Sequence, residues 1–143
     1  MRLTTKSSRE RGASLLESAL VLLTFLMMVI GVMDFGQVLY LHQSLVERAR
    51  SAARYGAINP TNYAGIQNMA VYNSPTVASG QTAMLAGLTT AMVDVQNPDI
   101  NTPNARVVVT ISGYPMQFFT PGLARAFTGR SVMVAMTAES QVP

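Results

Sequence analysis

"RERGASLLESALVLLTFLMMVIGVMDFG", residues 9–36, decides the fold. A basic cluster runs into an apolar stretch, and a lone carboxylate, Glu17, stands near its start. From Leu15 to Met33 the run is interrupted only by Glu17, Ser18, Thr24 and Gly31. At 1.5 Å per residue it rises about 28 Å, close to the ~30 Å hydrocarbon core of a bilayer. A helix satisfies every backbone group internally in that medium. The pattern predicts a transmembrane helix over residues 13–34, with Leu15 to Met33 as its apolar span. A carboxylate in hydrocarbon is costly, so Glu17 needs a reason.

Charge gives the direction. The net charge is +3. Arg2, Lys6, Arg9 and Arg11 against Glu10 account for all of it, because residues 13–143 are balanced. Basic residues beside an apolar run keep that flank in the cytoplasm and send the rest across. A nucleic-acid binder would instead spread them over a face, so no nucleic-acid partner is expected. The lipid bilayer is the first partner implied. The chain has no Cys, which excludes a disulfide framework and thiolate metal sites.

Three readings compete for the segment. A secretory signal peptide would need a small-x-small cleavage site after the run, where "VMDFGQ" stands instead. An uncleaved single-pass anchor displaying a small extracytoplasmic binding domain explains the span and the flank but not Glu17. A type III, pilin-type signal is cut before the apolar run and has a Gly, four residues, then a Glu. Here the order is Arg11-Gly12-Ala13-Ser14-Leu15-Leu16-Glu17. Residues 1–12 would then be a cytoplasmic leader, with cleavage after Gly12 and Ala13 as the new N-terminus.

Several matches combine with that spacing: "RGAS..E.AL" from Arg11, Asp34-Phe35-Gly36, Tyr40, and "ARSAARYGA" from Ala49 to Ala57. Together they resemble the TadE-like minor pilins (pseudopilins) of the tight-adherence, Flp-type branch of type IV pilus systems. One position departs from the pattern: Ser18 follows the Glu, where an aromatic is common. The resemblance implies a prepilin peptidase, other pilins or pseudopilins and an inner-membrane assembly platform as partners. It also implies location in a bacterial inner membrane, with the N-terminus cytoplasmic and the C-terminal part extracytoplasmic. Glu17 would be an assembly carboxylate, compensated in low dielectric by the new amine of a neighbouring subunit.

The helix is expected to continue past the membrane over residues 35–57. Val38, Leu39, His42, Leu45, Val46, Ala49, Ala52, Ala53 and Gly56 recur at steps of three and four. Gln37, Gln43, Ser44, Glu47, Arg48 and Arg50 fall mostly opposite. Asn59-Pro60-Thr61 reads as a turn and restart. Residues 58–143 are expected to form a small head. A short helix is expected from Asn62 to about Tyr72, with Ile66, Met69 and Ala70 inward. Strands are expected at Met92 to Gln96, Arg106 to Tyr114 and Ser131 to Ser140. A helical turn is expected at Leu123 to Phe127. The fold class is α+β and pilin-like: a long N-terminal helix packed on an antiparallel sheet of about three strands.

No catalytic set is found, so an enzyme is not expected, nor is a cofactor or a metal. His42 is the only His and falls on the apolar helix face, where packing accounts for it. Asp94 and Asp99 near Asn97 read as a solvated turn rather than a Ca²⁺ site. Asp34 is expected at the outer membrane boundary, kept in solvent. Arg50 and Arg54 share a helix face, for solubility and pairing with Glu47 or Glu139, or as candidate subunit contacts. Phe118 and Phe119, in a loop beside Pro121, are expected to cover the small core, with an exposed docking patch as the alternative.

Overall fold

The structure is a computed structural model that describes residues 8–99, 102, 104–116 and 127–138. Helix α1 runs unbroken from Ser8 to Ile58, 51 residues, or about 76 Å. It therefore starts before the expected residue 13 and ends where Asn59-Pro60 stops it. The Pro side chain disfavours the helical region for the residue before it. Helix α2 follows at Tyr63–Tyr72. Asn62 caps it, its side chain accepting the Gly65 N–H, as the restart signal predicts. Asn73 closes it in the left-handed region at φ 57, a conformation Asn tolerates.

Three strands make the main sheet: β1 (Val93–Gln96), β2 (Arg106–Ile111) and, after two short ones, β5 (Val132–Thr137). The order is β1-β2-β5, antiparallel throughout. Val93, Val107, Val109, Ile111 and Val132 point inward and are buried, while Asp94, Gln96, Arg106, Met133, Ala135 and Thr137 face out. Register aligns the inward set, Val93 opposite Ile111 and Ile111 opposite Val132. The β-branched alternation of "RVVVTI" is what makes this face. The strand ends at Ile111 rather than Tyr114. Pro115–Met116 (β3) then pairs with Phe127–Thr128 (β4), a small ladder that the pattern does not reveal. The turn expected at Leu123 to Phe127 lies largely outside the described residues, as do Phe118 and Phe119; Phe127 itself is in β4.

The upper half of α1 lies across β2 and β5, and α2 covers β1. Leu45, Ala49, Ala52 and Ala53 of α1 meet Ile66, Ala70 and Val71 of α2 in one core with the inward strand residues. Small residues on α1 let the elements close up. At Gly56 a Cβ would fall 2.8 Å from Val107 Cγ1 and 3.0 Å from Ile66 Cδ1, so only glycine fits. This is the α+β, pilin-like layout expected, with a long helix on a small antiparallel sheet.

Candidate functional site

The lower part of α1 is wholly uncovered. Every side chain from Gly12 to Met33 is exposed, with Leu15 at 72% and Met28 at 71%. A helix about 10 Å across and ~28 Å long presents roughly 900 Å² of apolar lateral surface. Soluble monomers rarely expose contiguous patches beyond a few hundred Å². One helix is thus long and apolar enough to cross a membrane, and none of its apolar window is covered by the rest of the chain. Its hydroxyls are satisfied within the helix. Ser18 Oγ donates to Ser14 O and Thr24 Oγ1 to Leu20 O, each at 2.9 Å. Such back-bonding removes the cost of a hydroxyl in hydrocarbon.

Gly12, Ala13 and Glu17 lie on the first turns of this helix, all exposed. A Cβ at Gly12 would meet nothing within 4 Å, so packing does not demand glycine there. Glu17 makes no ion pair among the described residues.

Asp34 corrects the expectation of a solvated boundary residue. It is only 7% exposed and is the one buried charged residue among those described. It also has an interaction partner. The flanking Met33 and Phe35 are exposed, so burial is confined to Asp34's side of the helix. Leu39 is a second correction: assigned to the packed face, it is 49% exposed. Arg48 is a third: assigned to the polar face, it is half-buried. For Arg48 the cause is the cleft it lines with Met84-Leu85, which its helical phase does not define.

The remaining polar residues are ordinary. Arg50 Nη1 reaches Glu47 Oε1 at 3.1 Å, an exposed pair one helical turn apart, the first of the two partners expected for it. Arg54 is exposed, and His42 is half-buried on the packed side. Asp94 accepts from Gln96 Nε2 at 2.8 Å, and Asp99 stands 3.8 Å from Arg106. Tyr114 is buried, its hydroxyl donating to Ala86 O at 2.9 Å, and burial pushes its pKa above the usual phenol range. Beside α1 a cleft of about 370 Å³ opens between the helix and Met84-Leu85. It is lined by Tyr40, Gln43, Ser44, Glu47 and Arg48, and sequence reasoning had no means to find it because Met84-Leu85 arrives from a distant loop.

A single uncovered apolar helix, continuous with the core helix of a small α+β head, defines the class: a helix-anchored, pilin-like protein. Comparison with protein families places the chain further. The family described as TadE-like protein matches residues 12–54, starting at Gly12 and running through the small-residue face of α1. Over that segment, 43 of 143 residues, the chain is similar to TadE-like proteins. No curated protein and no solved structure matches it.

Proposed function

We propose that this protein is a minor pilin, or pseudopilin, cut by a prepilin peptidase after Gly12 and taking part in assembly of a tight-adherence (Flp-type) pilus at the bacterial inner membrane. The observation that carries the reading is the Gly12-to-Glu17 spacing at the mouth of an uncovered apolar helix, where the family match also begins. Glycine in a helix costs about 1 kcal/mol relative to Ala, and packing gives Gly12 no compensating role. A peptidase subsite would supply one. Glu17 has no ion-pair partner among the described residues, and the new amine of Ala13 on a neighbour has the complementary charge. The basic flank favours a cytoplasmic leader and an extracytoplasmic head. In this reading residues 13–34 cross the membrane, residues 35–57 continue the helix, residues 58–143 complete the head, and the protein is structural rather than enzymatic.

Mass spectrometry of protein extracted from membranes of the native host tests this. A mature N-terminus at Ala13 is expected, together with loss of processing in Gly12→Val. An intact leader in a host with active peptidase would reject processing and favour a plain uncleaved anchor.

A further inference from the structure

Arg48 Nη1 is buried and has no hydrogen-bond partner among the described residues. An ionised guanidinium nitrogen held out of water without an acceptor is destabilising, so an acceptor brought against this guanidinium would stabilise it. Arg48 lines the cleft between α1 and Met84-Leu85, with the side chains of Tyr40, Gln43 and Ser44 as further donors along one helix face. Glu47, the only acid among the described residues lining it, is already bonded to Arg50.

We propose that this cleft binds a carboxylate side chain of a different membrane-anchored subunit, with Arg48 as the charged anchor. The inference rests on the reading that α1 spans the bilayer and that the protein assembles. Height selects the source of the anion. Tyr40 to Arg48 stand about 10 to 22 Å along the helix beyond Met33, whereas lipid headgroups reach only about 5–8 Å past the hydrocarbon. A lipid phosphate therefore does not reach Arg48, but an acidic residue on a neighbour held in the same membrane does. A second copy offers no unengaged exposed carboxylate beyond the span among its described residues. Beyond the span, each exposed carboxylate of this chain among the described residues is engaged: Glu47 with Arg50, Asp94 with Gln96, Asp99 with Arg106. Planar guanidinium geometry suits a carboxylate bidentately, and desolvation in the cleft strengthens the pair.

The test places a photo-crosslinking residue at Met84, the exposed lip of the cleft, in full-length protein in native membranes that carry the pilus system. The expected result is an adduct to another subunit through a peptide containing Asp or Glu. It should fall at least tenfold in Arg48→Glu, severalfold in Arg48→Met, and stay unchanged in Arg130→Glu. An adduct insensitive to Arg48→Glu, an adduct to lipid or to a second copy, or no adduct overturns the proposal. A second crosslinker at Leu26 in the apolar span separates the failures. Subunit adducts from Leu26 with none from Met84 reject the cleft and leave the assembly reading standing, whereas silence at both positions rejects both. Arg48→Met in purified, detergent-held protein should melt no lower than the parent. A fall of several degrees would mean that the guanidinium is satisfied within the subunit, against the proposal.

Discussion

The two halves of α1 share one backbone and live by opposite rules. Below Asp34, large side chains (Leu15, Leu22, Phe25, Met28) all face outward, and no other element touches them. Above it, the fully buried positions are mostly small, Ala49, Ala52, Ala53 and Gly56, with Leu45 the one large side chain among them. Large residues suit a helix whose neighbour is lipid, because the apolar solvent itself accepts their surface. Small residues suit a helix whose neighbour is a sheet and a second helix, because close approach packs more atoms per unit length. Helix propensity is similar in both halves, so what distinguishes them is side-chain volume, and volume reports the medium.

Substitutions can break that comparison, from the largest effect down. Ile66→Ala, which empties a fully buried site against Gly56, should lower the stability of the head by about 2–5 kcal/mol in denaturant titration. Leu22→Arg should leave that titration unchanged yet disfavour membrane insertion by about 2.5–3.5 kcal/mol, read as loss from the membrane fraction. If Leu22→Arg instead unfolded the head, the two halves would not be independent. Asn62→Ala removes the cap of α2 and the bond to Tyr55 Oη at 3.1 Å; about 1 kcal/mol should be lost, visible as a lower Tm.

Alkaline pH probes the upper half alone. The folded-state pKa of Tyr114 is raised above the unfolded value near 10.0, so the stability it contributes is complete below that pH. It is lost as pH climbs from there through the folded pKa, and Tyr114→Phe should blunt this loss in alkaline melts. The smallest effect belongs to Arg50→Ala, which breaks a half-exposed pair and should change stability by less than about 0.5 kcal/mol.

Where the medium is uniform, the sequence is easily read. None of the described residues buries residues 15–33, so composition and length alone define them. The strand run "RVVVTI" and the restart after Asn59-Pro60 were also legible, because alternation and a proline break are local rules. Asp34, Leu39 and Arg48 were not, since the period of a helix does not say how far around it the head reaches. Arg48 looks polar by helical phase, and only the arrival of Met84-Leu85 makes it an enclosed cation. The β3–β4 ladder escaped notice for a related reason: its strands are two residues each, too short for any periodicity to register. The candidate processing site rests on spacing along the chain rather than on contact, so the fold adds nothing to its reading.

The unbroken run of α1 from Ser8 to Ile58 makes the molecule a shaft with a fixed compass bearing. At about 100° per residue, Glu17 and Arg48 are separated by roughly 220° of azimuth, and no flexible joint lies between them to alter it. Deleting one residue from the span would swing the head through about 100° and lower it by about 1.5 Å. The number of residues in the apolar run, and not only its greasiness, thus sets which way the head looks when the foot is held.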